Sequence, residues 1–296
     1  MKYRFFLLVL LVVLLAGCKG KQQPAIVEDT IADTVALAPC TVFSGMDDME
    51  VITIPDRVNS MSIDLFKSSY NDSLLAVLMP DGSSPSAINV FLLRMSGYYY
   101  DGKDYDVLID AGLGEEAGGT LLQQLKQLNV KPEEIDAVCL THLHFDHIGG
   151  LLKNGRPVFP NAEIYLSVDE FNAWSDDGPM ADQNANWKQV LSCYANKINL
   201  FKDGDRIVDG RIKTHLAPGH TPGHTVYEAG VSLFIGDLIH AQDLQLKYPD
   251  FCARYDNDPA LAVKTRKQIL KEATASGYYL CGAHCYEPDI FLGDAR

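Results

Sequence analysis

The sequence predicts an α/β fold: two β-rich halves with helices outside them. Three observations carry this. Short apolar runs of strand character alternate with segments of helical period on both sides of residue 200. Histidines and aspartates stand at the ends of those runs or in loops beside them, where open α/β sheets place their chemistry. Beyond the N-terminal stretch, roughly 250 residues remain, enough for one large core.

The chain begins MKYRFFLLVLLVVLLAGCKG. Lys2 and Arg4 precede an apolar run from Phe5 to Ala16, a pattern expected of an export signal. The run is shorter than the ~20 apolar residues of a membrane-spanning helix. Leu15-Ala16-Gly17-Cys18 resembles the lipobox of bacterial lipoproteins, which implies removal of residues 1–17 and lipid on the Cys18 thiol. Lys19 follows the cysteine, so the resemblance implies an outer-membrane lipoprotein facing the periplasm or the cell surface. Residues 18–45, rich in Lys, Gln, Ala, Thr, Asp and Pro, read as a flexible tether. A single folded domain is expected over 46–296.

Within that domain, Asn89–Arg94 is strand-like, Asp101-Gly102 turns, and Asp106–Asp110 returns as a second strand. Leu121, Leu122, Leu125 and Leu128 recur at helical spacing. Ala137–Leu140 reads as a buried strand. Glu163–Leu166 follows as a strand, then Val168–Trp174 and Asn184–Tyr194 as helices. Arg206–Leu216 and Thr225–Ile235 return to strands. Asp258-Pro259 is a helix start, an N-cap before a first-turn proline, and the helix runs to about Ala275. Gly277–Gly282 is a last buried strand ending near His284.

Charge and cysteines bound the function. The formal net charge is −14. Loss of residues 1–17 leaves 23 basic and 39 acidic residues, a net of −16. Such a chain repels phosphate backbones, which argues against a nucleic-acid partner. Seven cysteines are present, and no CxxC pair has zinc-finger spacing. An oxidising compartment permits disulfides without fixing their pairing. Cys139 reads as a buried free thiol, and Cys285 as packing or a disulfide partner.

Three of eight histidines fall in THLHFDHIGG, residues 141–150. In extended chain His142 and His144 lie on one side and can reach one metal ion. If a helix then begins, Asp146 and His147 turn toward a second. Gly149 and Gly150 let the backbone pack closely. Imidazole suits zinc, and a carboxylate can complete a site while leaving room for water. Three further segments repeat the logic: Ala217-Pro-Gly-His-Thr-Pro-Gly-His224, Phe234-Ile-Gly-Asp237 and Leu280-Cys-Gly-Ala-His284.

In that order and spacing, HxHxDH, GHTPGH, a strand-end GD and a final strand-end His resemble the metallo-β-lactamase superfamily over about residues 85–290. The resemblance implies a four-layer αβ/βα sandwich, two mixed sheets flanked by helices, with two zinc ions in the cleft between its halves. It assigns His142, His144 and His224 to the first ion, Asp146, His147 and His284 to the second, and Asp237 to both. His220 is then a loop residue behind the metal. Asp110 matches an aspartate that supports the metal loop from behind, or is an ordinary strand-end residue. His240 stands where related lactonases and phosphotriesterases place a Tyr or His facing the substrate. His215 has no matching role.

Departures narrow the chemistry. Flavodiiron oxidoreductases carry Glu where this chain has His144, which favours zinc. Antibiotic-hydrolysing members generally lack the bridging aspartate present here as Asp237. The stretches 155–174 and 236–270, the latter with Asp-Asn-Asp-Pro-Ala before a basic helix, resemble the branch of methyl-parathion hydrolase and quorum-quenching lactonases. The chain stops twelve residues after His284, without that branch's glycine-rich continuation. The expected activity is attack by a zinc-held hydroxide on a small-molecule lactone, ester or phosphoester, with Asp146 passing a proton to the leaving group. Alternatives are a thioester or phosphodiester hydrolase, or a lipid-anchored metal-binding protein without turnover. A homodimer is one assembly the branch adopts. Trp174, Trp187, Phe145 and Tyr98–Tyr100 are candidates for the pocket rim.

Overall fold

The structure, a computed structural model, describes residues 40–45, 49–98 and 102–291. All lie in the unit spanning residues 37–296. The signal segment, Cys18 and most of the tether fall outside the described residues.

Fifteen strands are described: β1 (Thr41–Gly45), β2 (Met49–Ser62), β3 (Ser83–Met95), β4 (Tyr105–Ile109), β5 (Ala137–Cys139), β6 (Leu152–Lys153), β7 (Arg156–Pro157), β8 (Glu163–Ser167), β9 (Ile198–Phe201), β10 (Arg206–Ile207), β11 (Ile212–Leu216), β12 (Thr225–Ala229), β13 (Ser232–Gly236), β14 (Tyr279–Gly282) and β15 (Asp289–Phe291). One mixed sheet has the order β1-β2-β3-β4-β5-β8-β9 and the other β10-β11-β12-β13-β14-β15; β6 and β7 form a small hairpin. In the first sheet β1 to β4 pair antiparallel and β4, β5, β8 and β9 pair parallel. In the second, β13–β14 is the parallel pair.

Parallel neighbours need crossovers, and helices supply them. The helices are α1 (Asp72–Leu78), α2 (Leu121–Gln127), α3 (Phe145–Ile148), α4 (Val168–Ala173), α5 (Ala185–Tyr194), α6 (Gln242–Lys247) and α7 (Pro259–Ser276). α2 joins β4 to β5, and α7 links the β13 region to β14. α7 begins as expected: the Asp258 carboxylate accepts from Leu261 N at 3.0 Å, with Pro259 at the first position. Gly277, at φ +70°, ends it in the left-handed region.

Period-two alternation sorts side chains into layers. Val51, Leu93, Val107 and Cys139 of the first sheet meet Tyr227, Phe234 and Cys281 of the second in the central core. Ile52, Leu92, Leu108 and Val138 face the other way, against Leu121 and Leu125 of α2 and Trp187 and Val190 of α5. Val226, Leu233 and Leu280 pack beneath Ile269 and Ala273 of α7. Helix, sheet, sheet and helix therefore stack in four layers, as the sequence predicts.

Several elements differ from the sequence reading. The predicted tether reaches residue 45, yet Thr41–Gly45 pairs antiparallel with β2. Its TVFSG sequence is β-branched and aromatic, and β2 offers it an edge. β2, α1, β9, α6 and β15 were not anticipated. β15 pairs antiparallel with β14 at the edge of the second sheet. The six described cysteines are free. Cys285 packs with Leu280 and Ile235, so the packing reading describes it.

Candidate metal centre

β5 ends at Cys139, and Leu140 N donates to Tyr165 O at 2.9 Å, carrying the chain to the sheet edge before THLHFDH. Asp110, at φ +61°, stands behind this loop. Its carboxylate accepts from Thr141 N, the Thr141 hydroxyl and His147 Nδ1, each at 2.8 Å. The supporting role is the one the geometry shows. The two glycines behave as predicted: a Cβ on Gly150 would lie 2.0 Å from Ala111 O, and one on Gly149 2.2 Å from Leu113 O. Gly150→Ala is therefore expected to cost about 3 kcal/mol through overpacking, read as a lower urea midpoint. An unchanged midpoint would contradict the close approach.

The histidine tautomers follow from their outer partners. Thr141 donates its hydroxyl to Asp110 and so accepts from His142 Nδ1 at 3.0 Å. His147 Nδ1 donates to Asp110, His284 Nδ1 to Ala87 O at 2.9 Å, and His220 Nδ1 to Asp256 at 3.0 Å. In its neutral form each of these rings turns an Nε2 lone pair inward. His142 Nε2 and His220 Nε2 each lie 2.9 Å from His144 Nδ1. His144 Nδ1 can donate to at most one of these two nitrogens, so a cation among the three is the arrangement that satisfies them all. Burial lowers His142 well below the usual imidazole range and holds His144 at about 3, with His220 adding to the second effect. This donor set fits a metal ion.

His142, His144, His220 and Asp237 have ligand atoms close enough to share one ion, and Asp146, His147 and His284 another. Asp237, from the end of β13, stands between them. Its Oδ1 is 3.0 Å from His147 Nε2, and its Oδ2 is 3.2 Å from His284 Nε2 and 3.3 Å from His220 Nε2. Asp146 Oδ2 is 3.5 Å from His284 Nε2. Burial would raise the Asp237 carboxyl, but His284, His147 and His142 hold it well below the usual carboxylate range.

Two predicted residues stand elsewhere. His224, expected in the first group, is replaced there by His220. The start of β12 at Thr225 turns the His224 ring beneath Gly236, and its Nε2 accepts the Asp237 backbone N–H at 3.0 Å. A Cβ on Gly236 would sit 2.6 Å from that nitrogen, so glycine is needed there. His240, expected to face the substrate, is 1% exposed. It stacks on His284 at 5.5 Å, with Nε2 3.2 Å from Asp237. Its backbone N–H donates to Gln245 Oε1, which draws the turn inward. His215 pairs with Glu228 at 2.7 Å on the second sheet.

Two carboxylates escaped the sequence reading. Asp256 is fully buried behind His220; burial would raise it, but the hydrogen bond from His220 and the neighbouring cations hold it at about 2. Glu170, from α4, bridges the two histidine loops. It accepts from Leu143 N, Trp174 Nε1, the Thr221 hydroxyl and Gly223 N. The signal for Asp256 was its place in the quoted Asp-Asn-Asp-Pro-Ala; Glu170 offered none, being a charged residue in a short helix.

The groups open onto a cavity of about 980 Å³ lined by Asp146, His144, Asp237, Trp174, Phe145 and Tyr255, among others. Trp174 and Phe145 thus line it as anticipated. Trp187 is core instead, and Tyr98 is not among the lining residues. Tyr99 and Tyr100 lie outside the described residues.

These charges set a pH optimum for the metal-free protein. An unfolded imidazole titrates at ~6.5. Burial holds His224, like His144, at about 3, and lowers His142 as well. As pH falls below ~6.5 the unfolded chain gains protons these three refuse in the fold, so stability drops. Burial would lower His284 too, but Asp237 and Asp146 hold it at about 9; Asp237 and Asp110 likewise raise His147. That stabilisation is full below ~6.5 and fades as pH rises through about 9. Urea midpoints of metal-free protein should peak near pH ~6.5 and fall faster on the acid side. A midpoint that rises steadily from pH 6.5 to 9 would refute this.

The sequence model of the metallo-β-lactamase superfamily matches residues 85–276. The chain belongs to the metallo-β-lactamase superfamily. Among solved structures, the hydrolase AbOPH of the β-lactamase superfamily superposes with a TM-score of 0.75 at 29% identity, over 86% of this chain and 93% of that one. AidC, a dizinc quorum-quenching lactonase in complex with a product, superposes at 0.72 over 86% and 94%; at 24% identity the likeness is one of fold. A probable metallo-hydrolase of Methanocaldococcus jannaschii is 28% identical over 151 residues, 51% of this chain and 59% of that protein. The hydroxyacylglutathione hydrolase of Aeromonas salmonicida is 32% identical over 126 residues, 41% and 39% respectively. The matched stretches are thus well under two thirds of these two proteins' own lengths. The mixed α/β fold of this superfamily member agrees with both solved structures.

Proposed function

We propose that this superfamily member is a dinuclear zinc hydrolase acting on a lactone, ester or phosphoester of small-molecule size. The convergence of three inward nitrogens within 2.9 Å contacts carries the reading. His142, His144 and His220 would hold one ion, Asp146, His147 and His284 the other, and Asp237 both. When bound, such a pair supplies an activated water and polarises the attacked oxygen.

The chain's own residues do the rest. Asp110 and Asp256 keep the Nδ1 protons of His147 and His220 turned outward. Asp146, whose side chain is 30% exposed while His147 and His284 are buried, faces the cavity and is placed to take a proton from the attacking water and pass it to the leaving oxygen. Trp174 packs edge-on to His144 at 5.5 Å and shields that side from water. The cavity's size suits a ligand larger than a bare lactone ring. Export, lipid attachment at Cys18 and an outer-membrane location remain part of the same proposal, supported by the sequence of residues 1–19. Among the described residues no helix is long and apolar enough to cross a membrane.

The deciding experiment assays full-length protein, zinc-loaded, against lactones, aryl esters and phosphotriesters, before and after treatment with a strong chelator. Turnover is expected of at least one class, lost on chelation and restored by zinc. Turnover indifferent to chelation would refute the reading.

A further inference from the structure

Behind the metal-facing side chains lies a buried ion pair that the proposed mechanism does not use directly. Arg266 is 1% exposed, two turns into α7. It shares the helix's buried face with Ala262, four residues earlier, and Ala273, seven later. Burying a guanidinium costs several kcal/mol unless its donors are satisfied, and here they are spread over two loops. Nε donates to Leu238 O at 2.6 Å, beside Asp237. Nη1 donates to Pro249 O at 2.8 Å and Phe251 O at 2.9 Å, and Nη2 to Asp256 Oδ2 at 3.4 Å.

Asp256 passes this hold to the other loop. Its Oδ1 accepts from His220 Nδ1 at 3.0 Å. The next two residues grip the same loop through the backbone: Asn257 N donates to His220 O at 3.0 Å, and Asp258 N to Gly219 O at 2.8 Å. Gly219 admits α7 closely, since a Cβ there would lie 2.3 Å from Ala262 N. His220, His240 and Asp256 are also near enough to share a cation. Arg266 already neutralises Asp256, however, and His220 Nδ1 faces it with a proton, so this trio is not a third metal site.

We propose that Asp256, anchored by Arg266, is the positioning residue of this centre: it fixes the His220 proton on Nδ1, aims Nε2 at the metal, and locks the His220 loop to the Asp237 loop. The inference rests on the reading of His220 as a ligand. Its generality is chemical: a metal-binding imidazole donates its second N–H to an acceptor, and losing that acceptor weakens metal binding ~10–100-fold.

The test uses the full-length protein and zinc alone. Zinc affinities are measured by competition with a fluorescent chelator, and the His220 tautomer by long-range ¹H–¹⁵N correlation in the zinc-loaded form. Wild type is expected to bind two equivalents with His220 protonated on Nδ1. Asp256→Asn should weaken one equivalent ~10–100-fold and leave the other within a fewfold, with Asp256→Glu recovering part of the loss. If Asp256→Asn does not fold by circular dichroism, Arg266→Lys carries the same test and should weaken the same equivalent. Folded Asp256→Asn holding both equivalents within twofold of wild type overturns the inference alone. Wild type that binds no zinc overturns this inference and the proposed function together.

Discussion

Asp237→Asn is expected to lower kcat/KM on the order of 10³-fold or more, ~4 kcal/mol of barrier, and to release zinc. Among the described residues Asp237 is the one carboxylate within 3.8 Å of ring nitrogens from both groups. The amide keeps the side chain's size and removes its charge. It also turns an NH₂ toward nitrogens that would hold metal through their lone pairs, where a donor cannot replace a carboxylate. The two effects reinforce each other, because in the proposed dinuclear centre this residue would balance the charge of both cations. Zinc content by elemental analysis, together with rates on whichever ester class wild type hydrolyses, checks the outcome. Two retained zinc ions and kcat/KM within tenfold of wild type would show that Asp237 does not lie between the ions.

Much of this was legible in the sequence for a simple reason. Apolar strands that end in His or Asp deliver those side chains to a sheet edge, and Ala137–Cys139, Ser232–Gly236 and Tyr279–Gly282 all do so. The order of those segments sufficed to place six of the seven predicted ligand positions around one centre. The choice between His220 and His224 was not legible. The two are four residues apart in one loop, with the same side chain. What separates them is Asp256, 36 residues after His220, and Gly236, 12 after His224. Arg266 and Glu170 were hidden because a charged residue on a helix reads as a solvated one until the helix is docked. β2 was hidden by its far half, where Arg57-Val58-Asn59-Ser60 is exposed throughout and shows no alternation. For His240 the distance from Asp237 along the chain was legible, but not that its ring would lie buried against Asp237 and His284 instead of lining the cavity.

Glu170→Ala should cost about 4 kcal/mol of stability, roughly 1 kcal/mol for each of four donors left without an acceptor, and loosen the candidate metal centre as well. The carboxylate is 0% exposed and has four donors: Leu143 N at 3.2 Å, Trp174 Nε1 at 2.6 Å, the Thr221 hydroxyl at 2.7 Å and Gly223 N at 2.9 Å. Leu143 lies between His142 and His144, and Thr221 follows His220. One side chain therefore holds both histidine loops in register. Burial pushes its carboxyl above the usual range, and the four donors oppose that rise. Truncation leaves those donors buried without an acceptor, at ~1–3 kcal/mol for each group before relaxation. Packing atoms around Trp174 are lost as well. Glu170→Gln separates charge and acceptor from bulk: its single carbonyl can serve one pair, while its amide meets the N–H of the other. An intermediate loss is expected. Urea denaturation of the metal-free protein reads the stability, and zinc competition reads the register of the loops. If Glu170→Ala stays within 1 kcal/mol of wild type and binds zinc as tightly, the two loops are held by their backbones alone.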